Sequence, residues 1–63
     1  MGEPLQFEYK NWRGDIAIRK VFPMRVFWGV TAYHLEEQWI MQAWDEDRCE
    51  LRSFAMKDII RFI

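Results

Sequence analysis

Sixty-three residues, 51% of them hydrophobic and 17% aromatic, with a formal net charge of −1, suit one small folded domain over residues 1–63 and exclude a disordered chain. The longest apolar run, Val26–Val30, is far too short for a membrane helix, and Met1-Gly2-Glu3-Pro4 has no basic or apolar leader character. A single cysteine, Cys49, excludes a disulfide framework and an all-cysteine zinc site, so a reduced, cytoplasmic protein with no membrane partner is expected.

The elements read as short strands. Leu5, Phe7 and Tyr9 alternate with Gln6, Glu8 and Lys10, the period of a half-buried strand. Asn11–Asp15 is a turn, with Gly14 free to take positive φ. Ile16 and Ile18 alternate with Ala17 and Arg19, and Val21 then takes over as the apolar member, which predicts a bulge or bend near Lys20. Pro23 cannot donate to a central ladder and marks a corner, after which Met24, Val26 and Trp28 continue as a strand with Gly29 relieving a sharp twist. Thr31–Glu37 reads as a loop. In the next strand Trp39, Met41 and Ala43 face one way and Ile40 and Trp44 the other, the pattern of a strand buried on both sides. Asp45–Arg48 is a polar turn, Cys49–Ala55 a strand, Met56–Asp58 a single helical or 3₁₀ turn, and Ile59–Ile63 the last strand. Five or six short antiparallel strands predict an all-β fold, a small barrel whose closure removes exposed edges.

The charges are segregated. Residues 10–25 carry Lys10, Arg13, Arg19, Lys20 and Arg25 against Asp15, a net of +4, whereas residues 36–50 carry six carboxylates against Arg48, a net of −5. Such blocks favour either an anionic partner on one side or head-to-tail self-association.

Four short patterns occur in order: Arg19-x-Val21-x-Pro23, an aromatic strand ending in Gly29, Trp39-Ile40-Met41, and Arg52-x-Phe54-x-Met56-x-x-Ile59. Together, over roughly Phe7 to Ile60, they resemble the WYL domain, with Trp39-Ile40-Met41 standing at the family's Trp-Tyr-Leu signature. The resemblance implies an SH3-like (Sm-like) barrel of the kind found in bacterial transcriptional regulators beside a helix-turn-helix. It also implies a role in sensing ligands, often nucleic acids or other anions. The family's arginines fall on Arg19 and Arg52, while Ala55 and Asp58 stand where the family tends to carry basic residues. No helix-turn-helix lies within these residues, so a standalone or trimmed form that reads no DNA by a recognition helix is expected.

Arg19 and Arg52 present planar donor forks suited to phosphate or carboxylate, and Trp39, Tyr33 or Trp28 offers a surface on which a base stacks. His34, flanked by Tyr33 and Glu36, suits a pocket rim; one histidine makes no metal site. Cys49 with His34 lacks any positioning for nucleophilic chemistry, and Cys49 reads as a small apolar packing residue. Asp45-Glu46-Asp47 lacks the calcium-loop spacing, Ser53 and Thr31 sit in no nucleophile elbow, and Arg13-Gly14-Asp15 reads as hairpin chemistry. The expected protein is non-enzymatic and needs no cofactor. It binds an anionic, nucleotide-like or nucleic-acid ligand through Arg19, Arg52, Trp39, His34 and Tyr33, displayed on the outside of the barrel. A self-associating interaction barrel, or one that pairs with a regulator, is the alternative.

Overall fold

In a computed structural model, which describes residues 2–63, the chain forms strands β1 (Leu5–Lys10), β2 (Ile16–Thr31), β3 (His34–Asp45), β4 (Glu50–Ala55) and β5 (Ile59–Phe62). A 3₁₀ turn, Met56–Asp58, joins β4 to β5. All pairings are antiparallel in one sheet of order β4-β3-β2-β1-β5. No ladder joins β4 to β5 among the described residues. The seam of the barrel is therefore spanned by the 3₁₀ turn and by side chains, and two backbone edges remain where full closure was expected.

The β1–β2 turn is built by Asn11. Its Oδ1 accepts from the Arg13 and Asp15 amides at 2.9 and 3.0 Å, and Gly14, at φ 87°, donates to the Asn11 carbonyl. Arg13-Gly14-Asp15 is thereby accounted for as turn geometry.

β2 is a single bent strand rather than two. Its first part pairs with β1 in unbroken register from Lys10↔Ile16 to Leu5↔Val21, and its second part pairs with β3. The bulge falls between Pro23 and Arg25, not near Lys20. Proline brings no N–H to the ladder, so the extra residue sits where a bond is already missing. The expected phase is also inverted: Ile16 and Ile18 are exposed, and the row on the core side of the ladder is Ala17, still exposed near the start of the strand, half-buried Arg19 and buried Val21. Phe7 and Tyr9 across the ladder face the core, so their partners Arg19 and Ala17 lie on that same side of the sheet.

The core is Phe7, Tyr9, Val21, Met41, Ala43 and Phe54, with Leu5, Met56 and Ile59 against it. Phe54 meets Phe7 and Tyr9 edge to face, with centroids at 5.3 and 5.0 Å, a favoured aromatic geometry. The buried Ala55 amide donates to the Tyr9 hydroxyl at 3.0 Å, tying the end of β4 to β1 across the seam.

Three further expectations change. The Thr31–Glu37 loop shrinks to the two-residue turn Ala32-Tyr33, because Thr31 Oγ1 accepts from the Tyr33 and His34 amides and closes the hairpin tightly. Cys49 is exposed in the β3–β4 turn at φ 50°, not packed in a strand. Gly29 has an ordinary φ, and a Cβ there would meet Phe27 at 3.5 Å, an ordinary contact, so no crowding demands glycine.

Candidate functional site

Register decides which way the arginines point. Arg19 pairs with Phe7, and Arg52 pairs with Ala43 between the Met41–Phe54 and Asp45–Glu50 pairs. Directly paired residues share a face, so both guanidiniums rise from the core side of the sheet. They occupy the interior face near the Tyr9 hydroxyl, not the outside of the barrel, because the strand period gives those positions no other choice.

A third arginine joins them. Burial lowers the Arg19 guanidinium pKa first, and the positive charges of Arg48 and Arg52 lower it further, while Asp45 and Tyr9 oppose the shift. Arg48 and Arg52 thus each lie within electrostatic reach of Arg19. Asp45, almost fully buried, accepts from the Arg48 amide at 3.3 Å and so holds the β3–β4 turn that carries Arg48. Arg52 meets Glu50 at 3.3 Å on the same strand, a partly exposed pair of the kind worth about 0–1 kcal/mol. With Asp45 and Glu50 counted, one positive charge is left over.

Arg19 Nε is sealed from solvent and has no hydrogen-bond partner. A buried N–H left unmade costs about 1–3 kcal/mol, so the position gains from an acceptor brought in from outside. Tyr9 lies against the same cluster. Desolvation raises its phenol pKa, the Ala55 amide lowers it, Asp58 raises it, and Arg19 and Arg52 lower it.

Arg52 also lines a groove of about 720 Å³ that runs past the 3₁₀ turn to the β2–β3 hairpin, with Trp12, Tyr33, His34 and Gln38 among its other walls. Trp12 and Tyr33 are 83% exposed, and Gln38 contributes a buried, unpartnered Oε1. His34 is fixed from below. Thr31 Oγ1 accepts from two backbone amides, at 3.2 and 3.0 Å, which leaves its own hydrogen for His34 Nδ1 at 2.9 Å. Nδ1 is then the acceptor and Nε2 carries the proton. Burial lowers the His34 pKa, nearby Asp58 raises it, and Lys57 lowers it.

The five residues singled out from sequence do not converge on one point. Arg19 and Arg52 share the interior cluster, and Tyr33, His34 and Arg52 share the groove. Trp39 stands apart in the β2–β3 hairpin, edge to face with Trp28 at 5.5 Å. It is 54% exposed, so β3 is buried on both sides only from Ile40 onward. Sequence reasoning missed Arg48, hidden among the acids of its turn, and Trp12, hidden in a turn whose glycine drew attention. Their signal was position: each sits in a turn at the end of a strand that carries a site residue.

No helix is long and apolar enough to cross a membrane. No match is found among curated proteins or solved structures. The family model of the WYL domain matches residues 1–62. That match covers essentially the whole length: the chain belongs to the WYL domain family, a regulatory and non-catalytic type of domain.

Proposed function

We propose that this WYL domain is a non-enzymatic sensor that captures a phosphate-bearing ligand, a nucleotide or single-stranded nucleic acid, between Arg19, Arg48 and Arg52. The observation that carries the reading is the solvent-sealed, unpartnered Arg19 Nε beside two further guanidiniums. An oxyanion supplies the missing acceptor and offsets the mutual repulsion of the three cations. Phosphate contacts give affinity without identity. The groove adds selectivity: Tyr33 and Trp12 present aromatic surface for a base, and Gln38 Oε1 accepts from an exocyclic amine. His34 holds the rim beside Tyr33. Such a module acts as an accessory regulator in the cytoplasm of a bacterium or its phage.

Titration of inorganic phosphate, a mononucleotide and a short single-stranded oligonucleotide at low salt tests this. Saturable binding that weakens as salt rises is expected, with loss of about tenfold or more in Arg19→Ala and Arg52→Ala. Equal binding by wild type and both variants refutes the site.

A further inference from the structure

The β2–β3 hairpin extends beyond both flanking strands. β1 reaches β2 only as far as Val21, and β4 reaches β3 only from Ile40 onward, so Trp28–Trp39 form a two-stranded arm. One face of this arm carries a run of apolar side chains, with the carboxylate of Glu37 tied to Trp28 among them. At the base of the arm Val26 pairs with Met41, then Trp28 pairs with Trp39, and Val30 comes two residues on, where the register shifts. Val26, Trp28, Val30 and Trp39 are 51, 55, 52 and 54% exposed. The other exposed row, Ile16 and Ile18, is broken by charge, since those residues pair with Lys10 and Glu8.

The tryptophans are also held in place. Trp28 Nε1 donates to Glu37 Oε2 at 3.0 Å, and the two indoles meet edge to face at 76°. Fixed, half-exposed aromatics lose little freedom on docking and make strong anchors.

We infer that this apolar face of the arm is a homodimer interface, packed against the same face of a second copy about a two-fold axis. Area sets the argument. At about 250 Å² for a fully exposed indole, the two rings, with the valines and the tip residue Leu35, offer roughly 500 Å² per protomer. Two copies bury roughly 1,000 Å², the lower bound for a specific interface. The molecule's accessible surface of 4726 Å² exceeds the roughly 4,400 Å² expected of a compact chain of 7.8 kDa. Exposed surface of this kind is what a second copy covers. The one carboxylate against the face, Glu37, is held by Trp28 Nε1, so the face remains largely apolar and self-complementary, and the dimer it forms is weak and rests on apolar contact rather than on ion pairs.

Sedimentation of wild type, Trp39→Lys and Val30→Lys from about 5 to about 500 µM, at low and high salt, tests the inference. A wild-type dimer that persists at high salt is expected, with a dissociation constant raised about tenfold or more in each variant. Both positions lie outside the core cluster, and Val30→Lys, on the open arm, reads the interface even if Trp39→Lys loosens the fold. A monomer throughout overturns the proposal. A dimer dissolved by salt, or one equally strong in both variants, does so too. No arginine of the anion cluster is involved, so the two readings fail independently.

Discussion

Tyr9→Phe removes one oxygen from the best-defined link across the seam. The ring stays, with its edge-to-face contacts to Phe7 and Phe54 at 6.0 and 5.0 Å, so packing is nearly unchanged. What disappears is the acceptor for the Ala55 amide, at 3.0 Å on a fully buried residue. A buried donor left without a partner costs about 1–3 kcal/mol. A domain of this size has roughly 3–9 kcal/mol of stability in total, and each kcal/mol shifts its melting temperature by about 4–8 °C. Thermal unfolding followed by tryptophan fluorescence is therefore expected to show a drop of about 8–16 °C for the middle of that range. Urea unfolding should show a lower midpoint with an unchanged slope, because the surface buried is the same. A change of less than about 2 °C contradicts the idea that this hydrogen bond helps to hold the seam shut.

Cys49 occupies the left-handed region at φ 50°, which costs an L-residue about 1–2 kcal/mol. Cys49→Gly relieves the strain at some cost in chain entropy, and Cys49→Asn relieves it with less, so Asn is expected to raise the melting temperature; a lower value for both contradicts the assignment. His34 yields a pH dependence. Its folded pKa lies below the ordinary 6.5, chiefly because it is desolvated, so the unfolded chain binds the proton more readily. Stability is then fully present above about pH 6.5 and declines as pH falls through the ordinary histidine range. Unfolding between about pH 7.5 and 5.5 is expected to show this decline in wild type and a shallower one in His34→Gln. Parallel profiles contradict it. Thr31→Val, which takes the donor from Nδ1, is expected to raise the His34 pKa in an NMR titration.

The strand pattern was legible wherever alternation and core coincide. Leu5-Phe7-Tyr9 read correctly because each inward position carries an apolar side chain. Ile16-Ala17-Ile18-Arg19 misled for the opposite reason: its large apolar residues face outward, while half-buried Arg19 lies on the core side. A one-dimensional pattern cannot weigh Arg19 against Ile18 without knowing that Phe7 lies across the ladder. That error put the guanidiniums on the wrong side of the sheet. Trp39 was misplaced similarly, since its alternation with Met41 is real but β4 ends before reaching it. Arg48 enters the site only through its electrostatic reach to Arg19 from the β3–β4 turn, a long-range relation that no local spacing carries. Pro23 announced the bend correctly, because the lack of an N–H is a property of the residue itself.

The anion cluster makes its sharpest claim about one nitrogen. Arg19 Nε–H is observable as a single side-chain resonance in ¹H–¹⁵N spectra of the wild-type domain, and it can be followed during titration with inorganic phosphate and then a mononucleotide. A saturating downfield proton shift at Arg19 Nε, accompanied by slower exchange with water, is the predicted result. An Arg19 resonance that stays fixed while the ligand binds elsewhere, or while no binding occurs, contradicts the account.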